Sequence, residues 1–469
     1  MNERHEDRMH PSVTLAVLSV SGLAYSILSS AVIPALPTIQ HALHTSETGV
    51  TWLLTGYLLS ASVGTAILGR LGDMFGKERV LLWTLVVLAA GTVLAGLANS
   101  LSLLIVARVL QGVAGGIFPL SFGIIRDEFP REKVAGSIGL ISAILGVGGG
   151  VGIVAGGLIA EHLSWHWLFW MPLLLIVPAT FCTWRYVPES PVRVPGRINW
   201  TAAVLMSAGV SLALVAISET TTWGWGSART LGLLFFGLAL CAAWVAVETR
   251  SAEPLIDMTM MRIRGVWTTN LTAFLLGAGM YSSFIVFPQF AQLSRRTGGF
   301  GASVVQSGLY LLPSTIGMVI VGSLAGVIAF RFGSKRAVVA GSIVTAAAFG
   351  YLAVLHAHPY DMLISAALLG IGIGLAFAAL GNLVVEAVRP EQTGVAGGMN
   401  TVMRTIGGAL GGQLAATFIA GHTHHGFPSS TGFIDTFVMA TAFLVVCALA
   451  ALLVPGRREA GLQVRPSVT

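Results

Sequence analysis

The chain has 469 residues, of which 55% are hydrophobic and only 10% are Asp, Glu, Lys or Arg, with a formal net charge of +6 and a mean hydropathy of +0.82. A soluble globular domain carries roughly a quarter charged residues, so this composition excludes a soluble protein. The surplus of positive charge is expected to orient the chain in a membrane, not to bind nucleic acid.

After a tail at 1–12, apolar runs recur at 13–36, 48–69, 80–98, 102–125, 135–160, 166–187, 198–217, 230–248, 266–290, 304–329, 337–355, 361–387, 396–420 and 432–455, followed by a tail at 456–469. Each is long enough to cross a hydrocarbon core of about 30 Å at about 1.5 Å per residue. No alternation typical of a barrel accompanies them, and backbone in lipid must satisfy its own hydrogen bonds, so the spans are expected to be helices of an all-α integral membrane protein. The first span lacks a small-residue cleavage site and is expected to be retained. Cys182, Cys241 and Cys447 fall inside predicted spans, too dispersed for a disulfide or metal pattern, and are read as packing residues.

Charge returns first in "GRLGDMFGKERVLL" (69–82), between the second and third spans. Asp73 stands where it could cap the following turn or pair with an Arg, Gly69 and Gly76 allow close backbone approach, and Lys77 and Arg79 supply positive charge. The segment reads either as a lock between two helix packings or as a plain orientation signal. In the fourth span, Arg108 costs about 2.5–3.5 kcal/mol on insertion scales, and so calls for a function or for backbone carbonyls to bind; Gln111 follows one turn later. The fifth span carries Gly148, Gly152, Gly156 and Gly157, a small-residue stripe expected to pack at an interface between two halves of the molecule. Polar or aromatic residues expected to line a central pocket are Tyr25, Gln111, Asn270, Tyr281, Gln289, Tyr310, Asn382, Asn400 and Arg404, each equally able to make a helix–helix hydrogen bond. No span holds a carboxylate near its centre; the nearest are Glu161, at the end of the fifth, and Glu386, at the end of the twelfth. Nine of the eleven His fall on the expected outer side, where neutral imidazole is tolerated or where metal binding or pH sensing could occur.

Two segments repeat. "GVIAFRFGSKR" from Gly326 copies the 69–79 segment, with Gly326, Gly333 and Arg336 over Gly69, Gly76 and Arg79 and Phe330 where Asp73 would stand. "VAGSIGLISAILGVGGG" from Val134 matches "VAGGMNTVMRTIGGALG" from Val395. The repeats predict two six-helix units at 13–187 and 266–455, joined by a linker at 188–265 that holds two extra spans. With both termini cytoplasmic, 21 of the 26 Lys and Arg fall in tails, in cytoplasmic loops or, as Arg185, at the cytoplasmic end of a span, as positive charge is retained on that side.

Residues 69–79 match G-x-L-x-D-x-x-G-[RK]-[RK] through Gly69, Leu71, Asp73, Gly76 and Lys77, departing at Glu78. In this they resemble the signature loop of the major facilitator superfamily. The fourteen spans, "ARVLQGVAGG", "SWHWLFWMP", "EPLID", "SGLYLLP" and "GGMNTVMRTIGGALG" are similar to that family's fourteen-helix drug:proton antiporter branch, over essentially the whole chain. The resemblance implies that the 69–79 segment, with Gly69, Asp73, Gly76, Lys77 and Arg79, is a cytoplasmic gate, and that Arg108 of the R-x-x-Q-G pattern assists proton movement. Two departures stand out. Ile153 occupies the proline position of the antiporter motif, and Leu28 stands near the place of a first-helix Asp, which leaves Glu161 and Glu386 as candidates for proton coupling beside Arg108. The expected function is secondary active export of amphipathic drugs or secondary metabolites from the cell, with protons as coupling ion, the lipid bilayer as surroundings and a monomer as working unit. The alternatives are uptake or lipid translocation on the same scaffold, or a membrane sensor. No enzyme activity, metal or cofactor is expected, since no phosphate-binding loop and no paired intramembrane acid and base is present.

Overall fold

The computed structural model describes residues 11–190, 198–424 and 427–455. The apolar runs fold as helices α1 (Pro11–Ala31), α2 (Glu47–Phe75), α3 (Lys77–Gly96), α4 (Leu101–Glu128), α5 (Arg131–His162), α6 (Trp167–Tyr186), α7 (Trp200–Ser218), α8 (Ala228–Arg250) and α9 (Arg264–Gln292). They are followed by α10 (Val304–Tyr310 and, past Leu311, Leu312–Phe332), α11 (Ser334–Val354), α12 (Pro359–Ala387), α13 (Thr393–Gly421) and α14 (Ser430–Leu452). Thirteen of the fourteen are long and apolar enough to cross a bilayer. The other is α13, into which Asn400, Arg404 and Gln413 introduce polar groups. The chain is a multi-pass, helical membrane protein. Between α13 and α14 two short strands, β1 (Thr423–His424) and β2 (Phe427–Pro428), pair antiparallel with Thr423 opposite Pro428.

The junction of α2 and α3 is tighter than the sequence suggests. The helix runs on through residues 69–75, and Gly76 alone, at φ 110°, separates it from Lys77. That backbone region is open to glycine and hostile to other residues. Gly333, its counterpart in the repeat, makes the same break at φ 80° between α10 and α11. Helix α4 is not continuous: a 3₁₀ turn at Ala114–Gly116 interrupts it, where the missing side chain of Gly115 leaves room for the Tyr25 hydroxyl and Thr65.

Buried side chains group in three clusters. One is drawn from α1 to α6 with Val385 of α12 beside them, and a second from α9 to α14. The third joins Ala202, Ala203, Met206 and Val210 of α7 to Ala66 of α2 and to Val395, Met399 and Val402 of α13, so α7 seals the seam where α2 meets α13. At the end of α8, Glu248 accepts the backbone N–H groups of Leu255 at 2.9 Å and Ile256 at 3.2 Å and the Trp244 indole N–H at 3.2 Å, which holds the "EPLID" turn.

The glycine stripe of α5 faces a different neighbour from the one expected. A methyl group at Gly148, Gly152 or Gly156 would strike Ser26, Ser30 and Ile27, or the Ala31 carbonyl, all on α1, so this face packs inside the first six helices; Gly157 is buried beside it. The contact with α10 comes from other small residues of the same helix: Ala143 against Gly322, Gly146 against Met318 and Gly150 against Thr315. Because the Ala31 backbone cannot move aside, Gly156→Ala is expected to cost about 1–3 kcal/mol. It should lower the thermal unfolding midpoint in detergent, whereas Gly232→Ala, on α8 with nothing within 4 Å of the new methyl, should not.

Candidate functional site

At the end of the bundle that carries residues 69–79, α2 and α13 meet backbone to backbone. A methyl group at Gly69 would overlap the Gly394 carbonyl, and one at Gly394 would lie 2.6 Å from the Gly69 carbonyl. This contact brings the Asp73 carboxylate to the first turn of α13, where it accepts the Val395 N–H at 3.3 Å, a position favoured by the free N–H groups and the dipole of a helix start. Asp73 also lies 3.4 Å from the Lys77 ammonium, and Lys77 donates to Asp127 at 2.7 Å. Both partners of Lys77 are fully buried, as is Lys77 itself. The Ser190 hydroxyl donates to Asp127, and Glu189 accepts the Glu78 N–H at 3.3 Å and lies 3.5 Å from the exposed Arg79.

A second clasp stands beside the first. Arg126, at the end of α4, donates to the Val388 carbonyl at 2.7 Å, to the Thr393 hydroxyl at 2.7 Å and to the Arg389 carbonyl at 3.3 Å. It therefore binds the free carbonyls at the end of α12 and the turn that leads into α13. The two clasps tie α2 to α13, and α4 to the end of α12 and the turn before α13.

Deeper in the bundle lie two arginines. Arg108 is fully buried; its guanidinium donates to the Leu53 carbonyl at 3.2 Å, the Leu28 carbonyl at 3.3 Å and Gln111 Oε1 at 3.0 Å and stacks 4.2 Å above the Tyr57 ring. Gln111 is held in turn by the Gly91 carbonyl at 3.3 Å and the Thr92 hydroxyl at 3.4 Å. Tyr57 stacks on Tyr25 at 5.9 Å, and Tyr25 meets Phe118 edge-on at 6.1 Å. Arg404, on α13, stacks 4.8 Å above the Phe377 ring of α12 and donates to the Tyr281 hydroxyl of α9. Tyr25 of α1 lies within electrostatic reach of Arg108 on α4, Arg404 on α13 and Tyr281 on α9.

The other predicted residues are not all gathered there. Asp73 pairs with Lys77 where an Arg was expected, and Gln111 is bound to Arg108 and to the Gly91 carbonyl inside the first six helices. Asn400 donates to Asn270 Oδ1 at 3.1 Å and the Thr269 carbonyl at 3.3 Å, a polar link between α13 and α9, and Asn382 donates to the Ala135 carbonyl of α5 at 3.1 Å. Tyr310 packs edge-on against Phe300 at 6.4 Å, at the opposite end from Asp73, and Gln289 is exposed. Glu161 and Glu386 are exposed at helix ends, Glu386 accepting the Ser334 hydroxyl at 3.1 Å; neither is brought to Arg108. The Phe330 side chain lies outside the described residues.

Sequence reasoning passed over Tyr57, Arg126, Asp127, Glu189 and Ser190. Arg126 and Asp127 left a trace, an adjacent pair of opposite charges at the close of a span in a chain where charge is scarce. Tyr57, Glu189 and Ser190 left none, because their roles depend on partners far away in sequence.

The family model described as the Major Facilitator Superfamily matches residues 18–412 and, separately, 269–467. The chain is 31% identical over 430 residues to the tetracenomycin C resistance and export protein of Streptomyces glaucescens, covering 90% of this chain and 78% of that one. It is 30% identical over 366 residues to the multidrug transporter protein MdtP of Bacillus subtilis, covering 77% and 67%. In structure it is similar to the human organic anion transporter MFSD10 (TETRAN), with a TM-score of 0.67 at 15% identity over 94% of this chain and 100% of that one. That likeness concerns the fold alone. The helical architecture, a family match across most of its length and a relative above 30% identical together establish that the chain belongs to the Major Facilitator Superfamily of membrane transporters.

Proposed function

We propose that the chain exports amphipathic small molecules across the cell membrane by alternating access, as a monomer, with both termini and the Gly76 turn cytoplasmic. The observation that carries this reading is the pair of clasps: Asp73 on the first turn of α13 and Arg126 on the last carbonyls of α12 close one end with a few directional bonds. Few, separable bonds over a glycine contact form a closure that a substrate-driven shift of packing can open. Relatives named for tetracenomycin C export and multidrug transport support the direction and the substrate class. Proton antiport is the driving force proposed; Glu161 and Glu386, both exposed at helix ends, are the acids proposed to exchange the proton, and Arg108 is the interior group proposed to sense its passage.

Cells with and without the chain, loaded with a panel of fluorescent amphipaths of each charge type, test this. Lower accumulation that is lost on adding a proton-gradient uncoupler is the expected result, and a proton dependence that disappears in Glu161→Gln or Glu386→Gln would locate the coupling acid. Unchanged accumulation across the panel would overturn the transport reading.

The orientation has its own test. With Cys182, Cys241 and Cys447 replaced, a cysteine at the exposed position of Arg79 should resist an impermeant thiol reagent added to intact cells. One at His358, also exposed and beyond the opposite end of α11, should react. The reverse pattern would invert the molecule in the membrane.

A further inference from the structure

The interior of this bundle holds two arginines with no carboxylate beside them among the described residues. Arg108 lies in the eighth position of α4, and Arg404 in the twelfth of the 29 residues of α13. Every Asp and Glu among the described residues lies in a loop or within two turns of a helix end. The oxygens around Arg108 are two backbone carbonyls and an amide, which satisfy donors but carry no net charge. Its second terminal nitrogen, Nη2, is buried without an acceptor among the described residues, as is Nε of Arg404. A charge held away from water normally meets an opposite charge, because uncompensated burial is expensive and Coulomb forces reach far where the dielectric is low.

The surroundings define what would complete the pair. Flat rings stand beside both charges: Tyr57 beneath Arg108, Tyr25 stacked on Tyr57, and Phe377 beneath Arg404 with Tyr281 at its side. They offer faces to an aromatic body and, through the tyrosine hydroxyls, hydrogen bonds to its polar edge. Two guanidiniums repel a cation, leave a neutral compound little affected and attract an anion.

Resting on the transport reading above, we propose that the site takes an amphipathic aromatic acid in its ionised form. Arg404 contacts the acid group, and Arg108 is a second positive charge that raises the local potential from behind Tyr57 and Tyr25. The missing interior carboxylate is supplied by the substrate itself.

The test uses three probes of one fluorophore: dansylglycine, its methyl ester and dansylethylenediamine, which carry negative, zero and positive charge near neutral pH. Binding is read by fluorescence on the full chain in lipid nanodiscs, against empty nanodiscs. The wild-type protein should bind the acid about tenfold more tightly than the ester and the amine. Arg404→Gln should remove most of that preference while the ester's affinity stays within about twofold, which also reports that the variant is folded. Arg404→Lys should keep most of it, since it keeps the charge. Equal or amine-favouring binding by a protein that still clears fluorescent amphipaths from cells overturns the charge preference alone. So does an acid preference that survives Arg404→Gln. If the ester binds well only when the buffer contains chloride, bound chloride is the counter-charge and the substrate-acid proposal falls. No binding of any probe together with no clearance from cells overturns the transport reading and this proposal with it.

Discussion

Arg108→Ala and Arg108→Lys should both stop efflux while the protein still inserts and accumulates in the membrane. The alanine leaves Gln111 Oε1 without this donor and takes the Arg108 hydrogen bond from the Leu53 and Leu28 carbonyls, and a buried group left unpaired costs about 1–3 kcal/mol. The same change removes the cation above the Tyr57 ring. Lysine restores the charge but not the fork: three acceptors on α1, α2 and α4 are reached at once by a planar group with five donors, and a single ammonium on a flexible stem cannot span them. If about 2 kcal/mol of this is felt only in one of the two packings between which the molecule alternates, the cycle slows about thirtyfold. The measurement is the efflux rate per molecule, normalised to the quantity of protein extracted in folded, monodisperse form. An Arg108→Lys variant that transports at the wild-type rate and keeps its response to the proton gradient would show that any positive charge suffices at this depth.

The second large effect concerns the closed end. Asp73→Asn keeps an acceptor for the Val395 N–H but removes the negative charge from the start of α13 and from Lys77, which retains Asp127. Gly69→Ala works by shape, since its methyl group meets the Gly394 carbonyl, a backbone atom with no rotamer to give way. Each change weakens the closed arrangement more than one in which α2 and α13 have parted. About 1.4 kcal/mol of such bias shifts the balance between the two tenfold. Both variants should transport about tenfold more slowly, and both should expose a cysteine placed at Thr65, which is buried in this structure, to labelling from the 69–79 end. Slower transport without a gain in labelling would sink the gate and leave the segment as an orientation signal.

Much of this architecture could be read from the residues before any coordinates. The fourteen helices follow from runs of apolar side chains, and the correspondence of Gly76 with Gly333 emerges from the repeated segments because both positions need backbone angles that glycine tolerates. The depth of Arg108 was equally plain. Less legible were the directions in which helices face. Helix α5 carries small residues on more than one side, so its glycines mark close packing without saying which helix packs there, and the stripe at 148, 152 and 156 turned out to meet α1. The 69–79 segment was expected to be a loop because it is charged. It is helical through Phe75, because Asp73 and Lys77 find buried partners that stabilise charge inside an ordered element.

The division has a physical basis. A membrane-spanning helix is a local object: its length is set by the bilayer and its hydrogen bonds close within four residues, so about twenty apolar side chains determine it without reference to the rest of the chain. Sequence alone therefore determined the spans, the internal repeat and the costly interior arginines. The clasps are long-range objects. Asp73 meets Val395 across 322 residues and Arg126 meets Thr393 across 267, and each bond needs two helices placed to within a few tenths of an ångström. Only the packed bundle decided those pairings, because a hydrogen bond is set by distance and direction in space, which no spacing along the chain records.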